Sequence, residues 1–237
     1  MLKTTYAQMI TALGLLGVNN ILRKKKMADN VQKFVDDIRQ KFGAEGPKVI
    51  LDVGSRDIEE SIQLSRAFPN ARVIAFEPNP NQYPICYMRS KVYPMIEVHD
   101  YAITDVEGPI DFYIVGANHG GSSLLEPIDV PYSDGTHQKV TVKGRRLDSI
   151  LPELGVDKVD VIWMDVQGNE LKALQGMGRF IDDVKIMHTE ACPNAYYVGH
   201  ILKDEFEAWL LQQGFNVIWE PTIGHKYGEG DLLCIRP

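Results

Sequence analysis

The chain has 237 residues, of which 44% are hydrophobic and 24% are charged, a composition that excludes a collagen-like, coiled-coil or wholly disordered protein. Acidic residues outnumber basic ones by 32 to 25, which gives a formal net charge of −7; this charge disfavours nucleic acid as a partner because it repels a phosphate backbone. The three cysteines, Cys86, Cys192 and Cys234, lie far apart without a CxxC pair, which disfavours a disulfide framework or a structural zinc site and favours the cytoplasm.

An N-terminal helical extension is predicted over residues 1–47, followed by a catalytic domain over 48–237. A Gly-Ala-Glu-Gly-Pro stretch at 43–47 marks the boundary, and apolar residues at helical spacing predict an amphipathic helix over 28–42. The start of the chain faintly resembles a signal peptide, but a basic cluster follows it without an evident cleavage site, so we do not expect secretion. No apolar run reaches the roughly 18 to 20 residues of a membrane span. The N-terminal helices offer apolar surface that a second copy could cover in a homodimer.

The first part of the catalytic domain is predicted to be a strand, a helix and a second strand. Residues 49–54 form a short apolar run that closes at Gly54, which is typical of a strand buried on both faces. A helix is predicted over 58–67, and a second buried strand over 72–77 ends at Glu77. Together these elements predict a βαβ unit with parallel strands.

Helices and strands alternate through the rest of the chain. The glycine-rich loop between 115 and 139 holds His119 and is predicted to form an edge of the active site. The alternation predicts an α/β fold with a mostly parallel sheet and helices on both faces. The further predicted elements are, in order, a helix over 81–90, a strand near 95–99, an antiparallel pair at 110–115 and 139–143, a helix over 147–154, a strand over 159–165, a helix that begins at 167–169, a strand over 184–190, a helix over 203–213 and a closing β-pair at 215–220 and 231–236.

Acidic residues lie at or near the ends of five predicted strands: Asp52, Glu77, Asp100, Asp165 and Glu190. In open α/β sheets ligands bind beyond the carboxyl ends of the strands, so these side chains are candidates for a binding site. The first loop has a single glycine and lacks the GxGxxG pattern that places helix amides on a pyrophosphate. A ligand with a ribose, an amino group and no phosphate fits these carboxylates better. S-adenosylmethionine, with its sulfonium and ammonium cations, meets this description.

Five segments, in order along the chain, resemble the FkbM family of S-adenosylmethionine-dependent methyltransferases. They are VILDVGSRD, VIAFEPNP, VKGRRLDSIL, DVIWMDVQGNELKALQG and VKIMHTE, and the resemblance spans roughly residues 48–220. It implies a Rossmann-like class I methyltransferase fold, in which a mostly parallel seven-stranded sheet has helices on both faces and an antiparallel terminal strand. It also implies S-adenosylmethionine as the cofactor and, usually, O-methylation.

The resemblance also implies cofactor contacts at particular positions. Two departures from the family's pattern bear on them: Arg56 stands where the first loop often has a further glycine, which predicts a less open loop, and Trp163 and Gln167 replace a common lysine and a common glutamate around Asp165. The implied cofactor-binding residues are Asp52, Gly54 and Ser55 at the methionine portion, Glu77 with Pro78 at the ribose, Asp100 with Tyr101 at the adenine, and Asp165.

Three residues are candidates for the chemical step. Asp165 and Glu190, at adjacent strand ends, could orient or deprotonate an acceptor hydroxyl; the alternatives are cofactor-ammonium binding for Asp165 and helix capping or loop anchoring for Glu190. His119 titrates near neutral pH and is a candidate general base, or a solvated loop residue. Glu170 is predicted to stabilise the N-terminus of a helix. Asp165, Glu190 and a histidine could bind a divalent cation, but the sequence offers no ligand spacing and no metal is predicted.

The sequence therefore predicts an S-adenosylmethionine-dependent O-methyltransferase. Its acceptor is expected to be a hydroxyl on a small molecule or a glycan, with specificity in the insertion over 116–138 and in the loop after Glu190. Two alternatives remain open: a noncatalytic cofactor-binding or scaffolding domain of the same fold, and a nicotinamide-dependent oxidoreductase.

Overall fold

The computed structural model describes residues 29–131, 133–222 and 228–237, and residues 29–42 form helix α1. The other helices are α2 (Glu59–Ala67), α3 (Tyr83–Ser90), α4 (Leu147–Glu153), α5 (Glu170–Gln175) and α6 (Lys203–Gln212), with 3-10 turns at His119–Gly121 and Gly178–Asp183. The strands are β1 (Val49–Val53), β2 (Arg72–Phe76), β3 (Ile96–His99), β4 (Tyr101–Ile103), β5 (Gly108–Val115), β6 (His137–Arg145), β7 (Val161–Met164), β8 (Ile186–Ala191), β9 (Asn216–Pro221) and β10 (Gly230–Ile235). Within this part of the chain, no helix combines the length and the apolar character needed to cross a bilayer.

Seven strands form the main sheet in the order β3-β2-β1-β7-β8-β10-β9. Neighbours from β3 to β8 pair in parallel, and β10 pairs antiparallel with both β8 and β9. The predicted α/β class I methyltransferase fold, with its antiparallel terminal strand, is confirmed. The chain winds outward from β1 to β3 and then returns to place β7 on the other side of β1. This reversal makes the carboxyl ends of β1 and β7 the point at which a ligand is expected to bind.

The central strands are apolar on both faces because helices cover both sides of the sheet. Side chains alternate between the two faces, so Leu51 and Ile74 join one buried cluster with α4, α5 and α6. Ile50 and Val73 join the other cluster, which lies on the opposite face.

Helix α1 contributes directly to the second cluster. Val31, Phe34, Val35 and Ile38 are almost completely buried against this face of the sheet, so the predicted amphipathic helix over 28–42 is confirmed for the described residues 29–42. Residues before 29 lie outside the described part of the chain, and further helices there stay a prediction. The domain boundary at residues 47 and 48 also stays a prediction.

A second, three-stranded sheet lies between β3 and β7 in the chain, in the order β4-β6-β5. β5 and β6 form the predicted antiparallel pair, longer than expected, with Phe112 opposite Val140. β4 is a strand that the sequence analysis missed; it pairs in parallel with β6, placing Tyr101 opposite Lys143. The sheet frames the glycine-rich insertion that holds His119.

Candidate active site

The main chains of β1 and β7 come into contact at the centre of the sheet edge. Gly54 has a φ of +90°, and a Cβ there would collide with the carbonyl oxygen of Asp165. The neighbouring strand end thus fills the space that a Cβ would need, and the implied role of Gly54 at the cofactor stays a prediction. Glycine is required because no other residue combines a positive φ with so close a backbone contact.

Asp52 and Ser55, on either side of Gly54, are both 1% exposed. The hydroxyl of Ser55 lies 3.2 Å from the carbonyl oxygens of both Asp52 and Phe76, so it serves the loop's own backbone. Oδ2 of Asp52 accepts a hydrogen bond from the Ser61 hydroxyl, whereas Oδ1 is buried without a hydrogen-bond partner. Burial, followed by the charges of nearby acids, raises the pKa of Asp52 to about 8.

Glu77 follows β2, and backbone groups hold its carboxylate from both sides. Oε2 accepts from the Arg56 N–H at 2.7 Å and Oε1 from the Asn79 N–H at 2.8 Å. Burial raises its pKa to about 7, with these hydrogen bonds opposing the shift. The orientation of the carboxylate is therefore fixed, while each oxygen keeps capacity for a further donor. Pro78 lies between Glu77 and Asn79.

Arg56 adopts a left-handed conformation with a φ of 48°. A Cβ added at Gly120 would lie 3.6 Å from Cδ and Nη1 of Arg56, so this side chain reaches from the β1 loop to the insertion. Its positive charge lowers the pKa values of Glu60 and Glu77 against the effect of burial. The arginine that replaces the family's glycine thus partly neutralises an acidic site.

Asp100 and Tyr101 follow β3. Asp100 forms an ion pair with Lys143, with 3.0 Å between Oδ2 and Nζ. The Tyr101 ring stacks on His99, with 5.9 Å between centroids and 6° between planes, and the guanidinium of Arg145 lies 5.3 Å from its centroid. Both residues thus lie beyond β3 where the second sheet begins, and their implied contact with adenine stays a prediction.

Three carboxylates converge beyond β7 and β8. One oxygen from each of Asp165, Glu170 and Glu190 lies within 4.8 Å of the others. Asp165 is partly exposed at the end of β7, and Glu190 lies within β8. Burial raises the pKa of Glu190 well above its ordinary value, and the charge of Asp165 adds to this shift. The structure thus brings together the two acids that the sequence analysis selects for the chemical step.

Glu170 is the member of this cluster that the sequence analysis assigns to helix stabilisation. It begins α5, and its Oε1 accepts hydrogen bonds from the N–H groups of Val166 at 3.1 Å and Gly168 at 3.2 Å. The predicted structural role is therefore present, but the same carboxyl group also faces Asp165 and Glu190. Burial raises the pKa of Glu170 to about 7. The signal that could have indicated this position is its distance of five residues from Asp165 across a glycine turn.

Gln167 connects two of the three acids. Its Nε2 donates to Asp165 Oδ1 at 2.5 Å and to Glu190 Oε2 at 2.8 Å. Its Oε1 accepts from the Tyr197 hydroxyl at 2.9 Å. In the sequence, Gln167 stands out only as a departure from the family's pattern and is not predicted to belong to the site. Nothing in the sequence shows that its amide reaches both strand ends.

The glycine-rich insertion contacts Gln167 and Tyr197, and its role as an edge of the active site stays a prediction. The hydroxyl of Ser123 donates to the Gln167 carbonyl oxygen at 2.8 Å, and the Tyr197 hydroxyl lies 2.9 Å from the Gly121 carbonyl oxygen. Gly121 belongs to the 3-10 turn that includes His119. The side chain of His119 lies outside what the structure describes, and its role as a general base stays a prediction.

Asp165, Glu170 and Glu190 are the described residues that could hold a divalent cation. Carboxylate oxygens are suitable ligands for such an ion. The hydrogen bonds that these carboxylates already accept also explain why the three side chains lie together. The amide of Gln167 and two loop N–H groups already bind oxygens of all three side chains. A divalent cation, which the sequence allows but does not predict, stays untested.

Comparisons with known proteins agree with this arrangement. The profile of the methyltransferase FkbM domain matches residues 52–217. The chain is 27% identical over 165 residues to the 2-O-methyltransferase NoeI of Sinorhizobium fredii, covering 65% of this chain and 67% of NoeI. It is 28% identical over 153 residues to the hexuronic acid methyltransferase AglP of Haloferax volcanii, covering 62% of this chain and 57% of AglP.

Among solved structures, the O-methyltransferase TomG from Streptomyces achromogenes, in complex with S-adenosylmethionine, has the same fold. It superposes with a TM-score of 0.54 at 15% identity, covering 89% of this chain and 81% of TomG. The family match runs from Asp52 at the end of β1 through the carboxylates beyond β7 and β8. The chain therefore belongs to the FkbM family of S-adenosylmethionine-dependent methyltransferases.

Proposed function

We propose that the protein transfers a methyl group from S-adenosylmethionine to a hydroxyl group of a glycan or of a small molecule. The observation that carries this proposal is the pairing of Asp165 and Glu190 through Gln167 beside the β1 loop. Two relatives have names that refer to O-methylation or to a sugar acid, and these names favour a sugar hydroxyl as the acceptor.

The residues at the ends of β1 and β2 fit the cofactor. Asp52 has a buried carboxylate oxygen without a partner, and the oriented carboxylate of Glu77 can accept further hydrogen bonds from hydroxyl groups. Asp52, Glu77 and Asp100 would hold the cofactor, with Gly54, Ser55, Pro78 and Tyr101 shaping the same site. When bound, S-adenosylmethionine supplies a methyl group that its sulfonium has already activated.

A hydroxyl acceptor must lose its proton during transfer, and the acids beyond β7 and β8 can take it. Asp165 is partly exposed and lies where the strand winding reverses. Burial, followed by the charge of Asp165, raises the pKa of Glu190, and a raised pKa makes a carboxylate a stronger proton acceptor. Asp165 would orient or deprotonate the acceptor, and Glu190 would share the proton. His119 is the second candidate base.

The acceptor would approach from the insertion and the loop after Glu190. A groove of about 490 Å³ lies between these two segments and β5. Its wall includes Tyr113, Leu125, Glu126 and Val198. Leu125 and Val198 lie close in sequence to Ser123 and Tyr197, which hydrogen-bond to Gln167. An aromatic ring and a carboxylate in one groove are suited to a sugar.

We also propose a cellular location, a domain division and an oligomeric state for the protein. A cytoplasmic location is supported by the three cysteines, which are all free and buried. The catalytic domain would comprise residues 48–237, with the N-terminal extension over 1–47 covering one face of the sheet through α1. A homodimer through the N-terminal helices remains part of the proposal, and sedimentation of the full chain tests it.

The decisive experiment measures S-adenosylhomocysteine release with a panel of sugars and small alcohols. We expect release that depends on the acceptor. Asp165→Asn and Glu190→Gln should lower kcat by about 10²- to 10⁴-fold, whereas Glu153→Gln, an exposed control, should not. Cofactor binding without release for any acceptor would support a scaffolding domain instead. Thermal stabilisation by NAD and not by S-adenosylmethionine would support the oxidoreductase alternative.

A further inference from the structure

Gln167 makes hydrogen bonds with every polar position of its side-chain amide. The two Nε2 hydrogens are directed to Asp165 Oδ1 at 2.5 Å and Glu190 Oε2 at 2.8 Å, and Oε1 accepts from the Tyr197 hydroxyl at 2.9 Å. An amide has two donor hydrogens on nitrogen, so this set uses both. Neither hydrogen on Nε2 is left for another partner.

The backbone holds Gln167 in the conformation that this contact needs. Its φ is 55°, in the left-handed region, and Gly168 follows with a φ of 95°. A non-glycine residue in this region is strained, and such strain persists only where surrounding contacts maintain it. The Ser123 hydroxyl holds the carbonyl oxygen of Gln167 at 2.8 Å, and Gly168 packs against the His200 ring. The turn therefore directs the side chain back toward the ends of β7 and β8.

The two acids determine which end of the amide faces them. With the amide reversed, Oε1 would face the carboxylate oxygens of Asp165 and Glu190, which have no proton to donate when ionised. The Tyr197 hydroxyl both donates and accepts, and the Gly121 carbonyl oxygen also lies 2.9 Å from it, so it fits either end of the amide. The carboxylates thus select the orientation in which the nitrogen faces them, and Tyr197 anchors the opposite end through Oε1.

We infer that Gln167 is a positioning residue, anchored by Tyr197, that holds the carboxylates of Asp165 and Glu190 at a fixed separation for deprotonation of the acceptor. This inference rests on the proposed function, because it assigns a purpose to the geometry of the proposed base. We call the hydrogen bonds that join Gln167 to Tyr197, Asp165 and Glu190 the clamp. The clamp is present in the folded chain whether or not methyl transfer occurs. It can therefore be tested with and without turnover.

The glutamate that the family's pattern commonly has at position 167 comes with a lysine at position 163, and this chain has neither. Without that lysine, a neutral amide is suited to position 167 and a carboxylate is not. Asp165, Glu170 and Glu190 already place three acidic groups within 4.8 Å, and a fourth carboxylate would add repulsion to all of them. Hydrogen bonds to the ionised form of a carboxylate favour that form. Gln167 therefore helps Asp165 and Glu190 to remain proton acceptors, whereas a glutamate would have to bind a proton before it could donate one hydrogen bond.

The first test compares the pH profile of methyl transfer in the wild type, Gln167→Glu and Tyr197→Phe. For Gln167→Glu we expect kcat at pH 7 to fall about 10- to 100-fold, since small displacements of reacting groups have effects of that size. Its acid limb should move to higher pH by about one unit because an added negative charge raises the pKa of the base. The KM for S-adenosylmethionine should stay unchanged. An unaltered profile and kcat would overturn the inference.

Tyr197→Phe keeps both donors of Gln167 and removes only the hydroxyl that anchors the oxygen end of its amide. We expect kcat to fall about 2- to 10-fold, the range for one neutral hydrogen bond, with an unchanged KM for the cofactor. If Gln167→Glu does not fold, Tyr197→Phe decides the question alone: an unchanged kcat would then overturn the inference. Gln138→Glu makes the same charge change at an exposed position of β6 and should leave kcat unaltered.

The second test needs no acceptor. The melting temperatures of the wild type, Gln167→Glu and Gln138→Glu are measured between pH 5 and pH 8. Burial beside three acids raises the pKa of a glutamate at position 167, so its protonated form is lost as pH rises and the variant becomes progressively less stable than the wild type. The Gln138→Glu difference should stay constant. If no acceptor is methylated and this divergence is still present, the proposed function fails and the clamp stands; a constant difference for Gln167→Glu overturns the clamp.

Discussion

The indole ring of Trp163 lies face to face with the imidazole ring of His188, with 4.0 Å between centroids and 4° between planes. Phe34 of helix α1 packs edge-on against both rings, at 5.6 Å from Trp163 and 5.5 Å from His188. Trp163 and His188 are both buried, with exposed fractions of 9% and 6%. Burial lowers the pKa of His188 to about 3, so the neutral imidazole is the form that stacks. At the position where the resemblance implies a lysine, this chain thus has an uncharged aromatic cluster.

His188 should make the protein sensitive to acid. Its folded pKa of about 3 lies below the ordinary histidine pKa of 6.5, so its contribution to the free energy of unfolding is complete above pH 6.5 and is lost as pH falls. The slope approaches about 1.4 kcal/mol per pH unit below pH 6. We expect His188→Phe to lose less unfolding free energy than the wild type between pH 7 and pH 5, as urea titrations would measure. The control is His137→Phe, a change at an exposed histidine. An equal loss of unfolding free energy in His188→Phe and in the wild type would contradict this account.

Glu170 should lower the stability of the protein as pH rises, whereas His188 should lower it as pH falls. Burial raises its pKa to about 7, so the stability of the protonated form is complete at low pH and is lost as pH rises through 7. Glu170→Gln keeps an oxygen for the N–H groups of Val166 and Gly168 and does not ionise. We expect this variant to melt at a higher temperature than the wild type at pH 8 and at a similar temperature at pH 5. The exposed change Glu45→Gln should alter neither value; a variant less stable at pH 8 would refute the explanation.

Glu77 should determine the response to the cofactor. At a S-adenosylmethionine concentration of 100 times the dissociation constant, linkage gives about 2.7 kcal/mol of stabilisation to the wild type. Glu77→Gln replaces the proposed ribose acceptor, and we expect it to lose most of the increase in melting temperature. Glu97→Gln alters an acid of the neighbouring strand β3 that pairs with Arg72 and should retain the increase. A full increase in Glu77→Gln would remove Glu77 from the proposed cofactor site.

Gly54→Ala tests the contact between β1 and β7. An alanine at a positive φ has a strain energy of about 1–3 kcal/mol, and the collision with the Asp165 carbonyl oxygen adds to it. Gly155→Ala is a matched control, because Gly155 has a φ of +68° and nothing within 4 Å of an added Cβ. We expect Gly54→Ala to lower the unfolding free energy by clearly more than Gly155→Ala. Similar losses in the two variants would mean that the strands separate easily.

Removal of divalent cations should leave methyl transfer unchanged. The oxygens of Asp165 and Glu190 already accept hydrogen bonds from Gln167, and Glu170 accepts two from its own loop. We expect equal kcat before and after dialysis against a chelator. A loss of activity that Mg²⁺ or Mn²⁺ restores would show that the acidic cluster binds metal.

Much of the fold is predictable because strong local signals specify it. β1, β2 and β7 are short apolar runs buried on both faces, and each is recognisable without knowledge of its neighbours. β4 has three residues, Tyr101–Ile103, which are too few to show a period. It is a strand because β6, about forty residues later, offers it a parallel partner. That pairing is a long-range interaction that a local pattern does not contain.

The candidate site is predictable only in outline for a related reason. Asp165 and Glu190 can be predicted because both lie at strand ends, and ligands of open α/β sheets bind at the carboxyl ends of the strands. The involvement of Glu170 and Gln167 depends on a turn in which two successive residues have positive φ values. This turn folds a helix N-terminus back onto the strand ends. Gln167 also needs Tyr197, which a separate loop supplies, and only the assembled structure brings that loop near.

The backbone contact between Gly54 and Asp165 has a consequence for how new specificities can arise in this protein. Main-chain atoms form this contact, and side-chain substitutions do not replace them. The contact joins the segment proposed to bind the methyl donor to the residue proposed to remove the proton. Donor and base therefore cannot move apart without disrupting the sheet. Evolutionary change in the acceptor is expected to accumulate in the peripheral segments, such as the wall around Tyr113 and Val198, while the central geometry is inherited unchanged.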